Sequence, residues 1–185
     1  MPEFLTLLPP DEARALLLSH LPQTIGASEG IDVPSSLGRV LAEDVIAPQP
    51  LPDFQRSTVD GYAICAHDTH GASDSLPTYL SLIGEVPMGD RPAFAISAGQ
   101  CALIHTGGML PEGADAVVML EYTQYAGQDE IEVFRALADG ENVIGIGEDV
   151  AQGEIVIARG SLIRPAEIGG LMALGITKVN VVRKV

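Results

Sequence analysis

Positive charge is what this sequence has least of. Its 185 residues carry 10 Lys and Arg against 25 Asp and Glu, a formal charge of −15. Such a field repels nucleic-acid backbones and anionic membrane surfaces, so neither is expected as a partner. Tryptophan is absent and aromatics make up only 4%, so a core has to come from the Leu, Ile, Val and Ala of the 46% hydrophobic fraction. A chain of this length buries roughly 70% of its unfolded surface, enough for such a core without covalent staples. Cys65 and Cys101 are the only cysteines and form no C-x-x-C, which fits ordinary buried thiols in a reducing compartment. No apolar run approaches the ~18 residues of a membrane span. The start, "MPEFLTLLPPDEA", has no basic segment and runs into prolines, unlike an export signal. The expected setting is soluble and cytoplasmic.

Several catalytic and cofactor signatures are missing as well. No G-K-[ST] closes a glycine-rich loop, which excludes nucleotide hydrolysis of the P-loop type. Gly145 and Gly147 begin like a dinucleotide fingerprint, but Val150 stands at the third glycine's place and no helical pattern follows. In "CAHDTH", His67, Asp68 and His70 offer some metal-ligand chemistry, yet a zinc site needs three or four convergent ligands and no partner cluster follows elsewhere. Nothing orders a Ser-His-Asp or Cys-His set.

What is present is a change of texture along the chain. Asp11 to Leu21 has helical spacing, with Ala13, Leu16, Leu17 and Leu21 as an apolar stripe, Asp11 as cap and Pro22 as terminator. Gly30 to Pro34 has strand character, Ser35 to Leu41 reads as one or two helical turns, and Glu43 to Ala47 as extended chain. "PQPLPDF" then marks a crossing, after which short β-like runs alternate with Gly and Pro turns: "QCALIHT", "ADAVVML", "EIEVFRAL" and a strand near Tyr79 to Ile83. Glu154 to Ile163 reads as a hairpin turning at Arg159-Gly160. Arg164 to Gly175 reads as a helix with Pro165 in its first turn and Gly175 past its end, and "ITKVNVVRKV" as a strand. Mixed segments at both ends thus bracket a β-rich middle. The expected class is α+β and β-rich, with residues 48–150 inserted into a discontinuous mixed domain of residues 1–47 and 151–185.

Three stretches of the middle are candidate sites. In "RSTVDGYAI", Asp60-Gly61 reads from spacing alone as a two-residue hairpin turn with both residues at positive φ. "HTGGMLPEGADAVV", His105 to Val118, is a glycine-shaped loop able to offer backbone N–H groups to an anion. "GIGEDVAQG" sets Glu148 and Asp149 beside glycines where the inserted region rejoins the outer one.

Taken in order, "LGRVLAEDV", "STVDGYA", "HTGGMLPEGADAVVMLE", "GENVIGIGEDV" and "RPAEIGGLMALGITKVNVVRKV" resemble the N-terminal half of molybdopterin molybdenumtransferases, the MoeA and gephyrin E-domain family of molybdenum cofactor synthesis. The resemblance runs over nearly the whole chain. It implies a MoeA N-terminal-region-like fold and an enzyme that inserts molybdate into adenylylated molybdopterin, releasing AMP, with magnesium. Molybdopterin and molybdate are then substrates, and the site is shared between the subunits of a homodimer. The family's S-x-M-D-G-Y-A falls on Ser57 to Ala63, its T-G-A-x-x-P-x-G on Thr106 to Gly113 and its G-E-D on Gly147 to Asp149. By that match Asp60, Thr106 and Asp149 are the catalytic set, Asp60 and Asp149 hold magnesium, and Ser57, Gly107 and Glu148 line the binding site. Two departures stand out. Val59 takes the place of a methionine, and Ile144, Gly145 and Ile146 stand where the family commonly carries arginines.

The family's MogA-like domain would begin after about Val185, so the chain alone is expected to be inactive in molybdate insertion. The alternative is a stand-alone, non-catalytic binding or dimerisation module of the same fold.

Overall fold

The structure is a computed structural model that describes residues 7–20 and 27–184. In chain order its elements are α1 (Pro10–His20), β1 (Ser28–Asp32), β2 (Val45–Ile46), β3 (Arg56–Ser57), β4 (Gly61–Ile64), β5 (Thr78–Glu85), β6 (Gln100–Ile104), β7 (Ala116–Met119), β8 (Thr123–Tyr125), β9 (Glu130–Val133), β10 (Val143–Ile144), β11 (Ile155–Ile157), α2 (Pro165–Ala173) and β12 (Lys178–Val182). The fold is α+β and rich in strands. It divides into two compact units, Met1–Val45 with Ile155–Val185, and Ile46–Glu154.

The discontinuous unit is held by its two ends. β1 and β12 pair antiparallel from Ser28↔Val182 to Asp32↔Lys178. The alternation of β12 sends Val179 and Val181 into a core with Val33, Leu41, Ile163 and Leu171. Arg39 fixes the pairing further by donating to Glu29 and, at 2.8 Å, to the Val182 carbonyl. α2 starts at Pro165, and Glu167 closes a capping box by accepting from the Arg164 N–H at 2.9 Å. The Arg164 guanidinium on the same carboxylate holds Glu167 down at about 2. α1 buries none of its residues: Leu16 and Leu17 remain exposed. Its start at Pro10 places Asp11 inside the first turn rather than at the cap. Leu21 and Pro22 lie outside the described residues.

Two other expectations give way here. Ser35 to Leu41 is not helical: one 3-10 turn covers Val33–Ser35, and Gly38 at φ 71° breaks any continuation. Val40 and Leu41 instead bridge to Leu162 and Val181. The turn near Arg159-Gly160 forms, with the Ser161 N–H on the Ala158 carbonyl at 3.2 Å. Its arms do not pair with each other, however, because the bridge of Leu162 is to Val40.

The unit Ile46–Glu154 is built on a six-stranded sheet in the order β7-β4-β6-β5-β9-β8. Only β5 and β6 run parallel; the other neighbours are antiparallel. Both faces of β4 are buried. Tyr62 and Ile64 pack with Leu80, Cys101, Val118 and Ile131, while Ala63 joins Val86, Ile104, Leu110 and Val117 on the other side. Gly61 shows what this costs in sequence freedom. A Cβ there would collide with the Val118 carbonyl oxygen of β7, so the strands approach at a distance that only glycine permits. Gly61 is therefore not a turn glycine, and it is absent from the positive-φ positions. β3 and β4, on either side of Asp60, do not pair with each other: β3 pairs with β10, and β4 with β6 and β7. The expected Asp-Gly hairpin is replaced by a bend leading from one ribbon into another.

Cys65 and Cys101 are both free thiols. Burial pushes Cys101 up to about 12, whereas Cys65 is half-buried, its sulfur 3.7 Å from Asp115 Oδ2. No described helix is long and apolar enough to cross a membrane.

Because the clash at Gly61 is with backbone, side-chain rotation cannot relieve it. Gly61→Ala is expected to destabilise the unit by about 2–4 kcal/mol in urea unfolding. A change below about 0.5 kcal/mol would show that β4 and β7 do not approach as described.

Candidate functional site

The pairing of β4 with β6 decides where Asp60 meets its partner. Gly61 lies opposite Ile104, so the residue before β4 and the two after β6 leave the sheet at the same end. There the Asp60 Oδ1 accepts from the Thr106 N–H at 2.8 Å and from the Thr106 hydroxyl at 3.1 Å. Both bonds fall on one oxygen, and the side chain remains 59% exposed, so the other oxygen is available to solvent or ligand. These donors hold the Asp60 carboxyl below its ordinary value, the backbone N–H first, then the hydroxyl, with a smaller pull from His105. His105 stands between two carboxylates. Its Nδ1 is 3.9 Å from Asp60 and its Nε2 is 3.0 Å from Glu85 at the end of β5.

Ser57 and Gly107 lie next to this pair but turn their polar groups inward. The Gly107 N–H donates to the Ser57 carbonyl at 2.8 Å, and the Ser57 N–H to the Gly108 carbonyl at 3.0 Å. The Ser57 hydroxyl is buried and donates to the Val59 carbonyl at 2.6 Å. The Gly108 N–H is taken by the His105 carbonyl. At the start of the glycine loop, the N–H groups expected to face an anion are turned inward. Thr106, Gly107 and Gly108 all direct theirs to acceptors within the protein.

Asp149 joins from the other side of the same ribbon. Residues 147–150 are tied down by backbone bonds, Gly147 N–H to the Pro52 carbonyl and Asp149 N–H to that of Leu51. Glu148 closes its own turn by accepting from the Gly145 N–H at 2.7 Å. Asp149 itself is 54% exposed, with Oδ2 3.5 Å from Arg56 Nη2. Arg56 precedes Ser57 on β3 and pairs with Ile144 on β10. A continuous path of contacts thus runs from Asp149 through Arg56, Ser57 and Gly107 to Thr106 and Asp60. Sequence reasoning missed Arg56 and His105. Their signal was adjacency: each is next to a motif residue, in a unit that holds only three arginines and no lysine.

The metal chemistry open to this wall is limited. Among the described residues no three His, Cys, Asp or Glu converge in a metal-holding group. Asp60 and Asp149 are hard oxygen donors, each exposed and with an oxygen that no described contact occupies. They suit magnesium, which keeps several waters and takes one or two carboxylates together with substrate oxygens. In "CAHDTH" the polar groups hold local structure instead. Asp115 accepts from the Ala66 N–H at 2.6 Å, Asp68 accepts from the Gly99 N–H at 2.7 Å, and His67 stacks at a tilt on His70.

Comparison with known proteins gives the chain a family. The model described as MoeA N-terminal region (domain I and II) matches residues 8–175. A putative molybdopterin biosynthesis protein of Methanocaldococcus jannaschii is 36% identical over 178 residues, which is 95% of this chain and 42% of that protein. The molybdopterin molybdenumtransferase of Bacillus subtilis is 36% identical over 182 residues, 97% of this chain and 42% of its own. Gephyrin of Dictyostelium discoideum is 35% identical over 184 residues, 94% of this chain and 25% of its own. The crystal structure of the molybdopterin biosynthesis moeA protein from Pyrococcus horikoshii superposes with a TM-score of 0.88 at 40% identity, over 95% of this chain and 46% of that one. The chain therefore spans less than half the length of these relatives.

Asp60 titration tests the geometry directly. Carboxyl NMR shifts should give a midpoint below 3.8. Thr106→Ala should raise it only in part, since the backbone donor survives. The bonded carboxylate then favours the folded state above that ordinary value, and its contribution fades as pH falls through the lower folded midpoint. A native midpoint at or above the ordinary value contradicts the two-donor arrangement.

Proposed function

The chain belongs to the MoeA N-terminal family, and from that premise we propose that it is the domain I and II part of a molybdopterin molybdenumtransferase acting in molybdenum cofactor biosynthesis in the cytoplasm. The complete enzyme inserts molybdate into adenylylated molybdopterin and releases AMP. Its site lies where the wall of Asp60, Thr106 and Asp149 meets a MogA-like domain of a second subunit in a homodimer. The chain alone does not catalyse the insertion.

The observation that carries this reading is the Asp60 carboxylate, fixed by two donors on one oxygen and open to solvent at the other. A carboxyl held below its ordinary value is a weak base but stays ionised as a ligand. Asp60 is accordingly a binding and orienting group rather than a proton acceptor. Thr106 holds it in place, and Asp149 offers a second carboxylate. Magnesium bound at these oxygens would offset the negative charge that gathers when an adenylate is cleaved beside an oxyanion. Ser57, Gly107 and Glu148 shape the wall through the internal bonds they make.

The test requires this chain joined to the downstream domains of its relatives, assayed for AMP release with magnesium and molybdate. Asp60→Asn should fold normally and lower turnover by about 10²–10³-fold, the usual scale for a lost electrostatic partner. Asp149→Ala should weaken the magnesium response. Turnover of Asp60→Asn within about threefold of the unsubstituted protein, or about 0.7 kcal/mol, removes Asp60 from the reaction. No AMP release from the unsubstituted protein would leave the binding-module reading in its place.

A further inference from the structure

The acidic excess of the chain is concentrated in one unit. Residues 46–154 hold 17 Asp and Glu against Arg56, Arg91 and Arg135 with no lysine, so −14 of the formal −15 sits there. An anionic ligand approaching the wall is therefore repelled unless a local cation receives it. The leading N–H groups of the glycine loop, those of Thr106, Gly107 and Gly108, are engaged within the protein. Arg135 is paired with Glu141 and lies over Tyr122, 5.2 Å from ring centroid to guanidinium, while Arg91 lines a cleft with Asp90, Gly107 and Gly108 and is the second cation near the wall.

Arg56 is differently placed. Its backbone is pinned on both edges, by pairing with Ile144 on one side and a bridge to Met109 on the other. These cross-strand neighbours are apolar and present no polar side chain to it. The guanidinium is 36% exposed and, among the described residues, makes one loose contact, Nη2 to Asp149 Oδ2 at 3.5 Å, which leaves most of its donor fork open. An arginine fork matches two oxygens of a phosphate-like oxyanion.

We propose that Arg56 is the anion-receiving residue of this wall, and that Asp149 is a clasp which holds the guanidinium until a phosphate-type oxyanion takes it. Binding exchanges one carboxylate partner for the ligand's oxygens and frees Asp149. This deepens the functional reading by assigning the substrate's anionic end to a residue, and rests on it only for the identity of that substrate. The clasp is weak by construction: an exposed, single-contact ion pair is easily opened.

The inference is tested on the chain itself, with AMP and inorganic phosphate as separate probes, so it can fail independently of any turnover assay. The readout is the Arg56 Nε–H signal in ¹⁵N NMR. In the native chain that signal should shift saturably with AMP, and phosphate should compete if the oxyanion alone is recognised. Arg56→Gln should abolish saturable shifts at neighbouring Ser57 and Asp149 amides. Arg135→Gln, the same charge change made elsewhere, should leave them intact. Asp149→Asn should tighten AMP binding by about two- to fivefold, the worth of an exposed ion pair; a residue serving structure alone would not produce this gain. Binding that survives Arg56→Gln, that is unchanged or weaker in Asp149→Asn, or that never saturates in the native chain overturns the proposal.

Discussion

The wall depends on a short tie between two strand ends. Asp60 precedes β4 and Thr106 follows β6, and the antiparallel pairing of those strands delivers both residues to one end of the sheet. Two donors from Thr106 then converge on a single carboxylate oxygen. Charge-assisted bonds of this kind are roughly twice as strong as neutral ones, and this one adds to the backbone bonds that already tie Ser57 to Gly107 and Gly108. The sheet supplies its rigidity. β4 is buried on both faces, and Gly61 presses against β7 where no side chain fits. The exposed carboxylate immediately precedes a strand that is buried on both faces.

Charge sets the second constraint. A unit carrying a net −14 holds its carboxylates ready for a cation but opposes the anions that the family's chemistry handles. The family resemblance implies arginines before the Gly-Glu-Asp segment, where Ile144, Gly145 and Ile146 stand here. The register places Arg56 directly opposite Ile144, so a guanidinium rises from the neighbouring strand at the level where the first of those side chains is missing. The two carboxylates of the wall are held differently as a result. Asp60 is fixed by hydrogen bonds from a loop, and Asp149 is clasped by a cation.

Much of this was legible in the sequence, for identifiable reasons. Short β-like runs such as "QCALIHT" and "ADAVVML" became β6 and β7 because both are bounded by turn residues and pack on two faces. The helix after Arg164 followed from Pro165 in its first turn and Gly175 past its end. Local signals failed where distant contacts decided the outcome. Asp60-Gly61 has the composition of a hairpin turn, but the glycine answers to Val118 on a strand more than fifty residues away. Ser35 to Leu41 looks helical, yet Val40 and Leu41 are claimed by Leu162 and Val181. The glycine loop looks like an anion cradle because sequence cannot show that its leading N–H groups already have acceptors. Asp60 and Thr106 were named by resemblance, and only the coordinates show that they bond to each other. Arg56 and His105 carried no motif of their own, since their significance lies entirely in what stands beside them.

The tie between Asp60 and Thr106 can be tested most directly by residue-resolved amide hydrogen exchange, comparing the native chain with Asp60→Ala. The account predicts that the Thr106 amide exchanges at least about tenfold faster once its acceptor is removed. The amides of Ala63 and Ala102, inside β4 and β6, should keep their protection. An unchanged Thr106 rate would mean that the carboxylate does not hold that loop. The shared wall would then lose the contact on which its geometry rests.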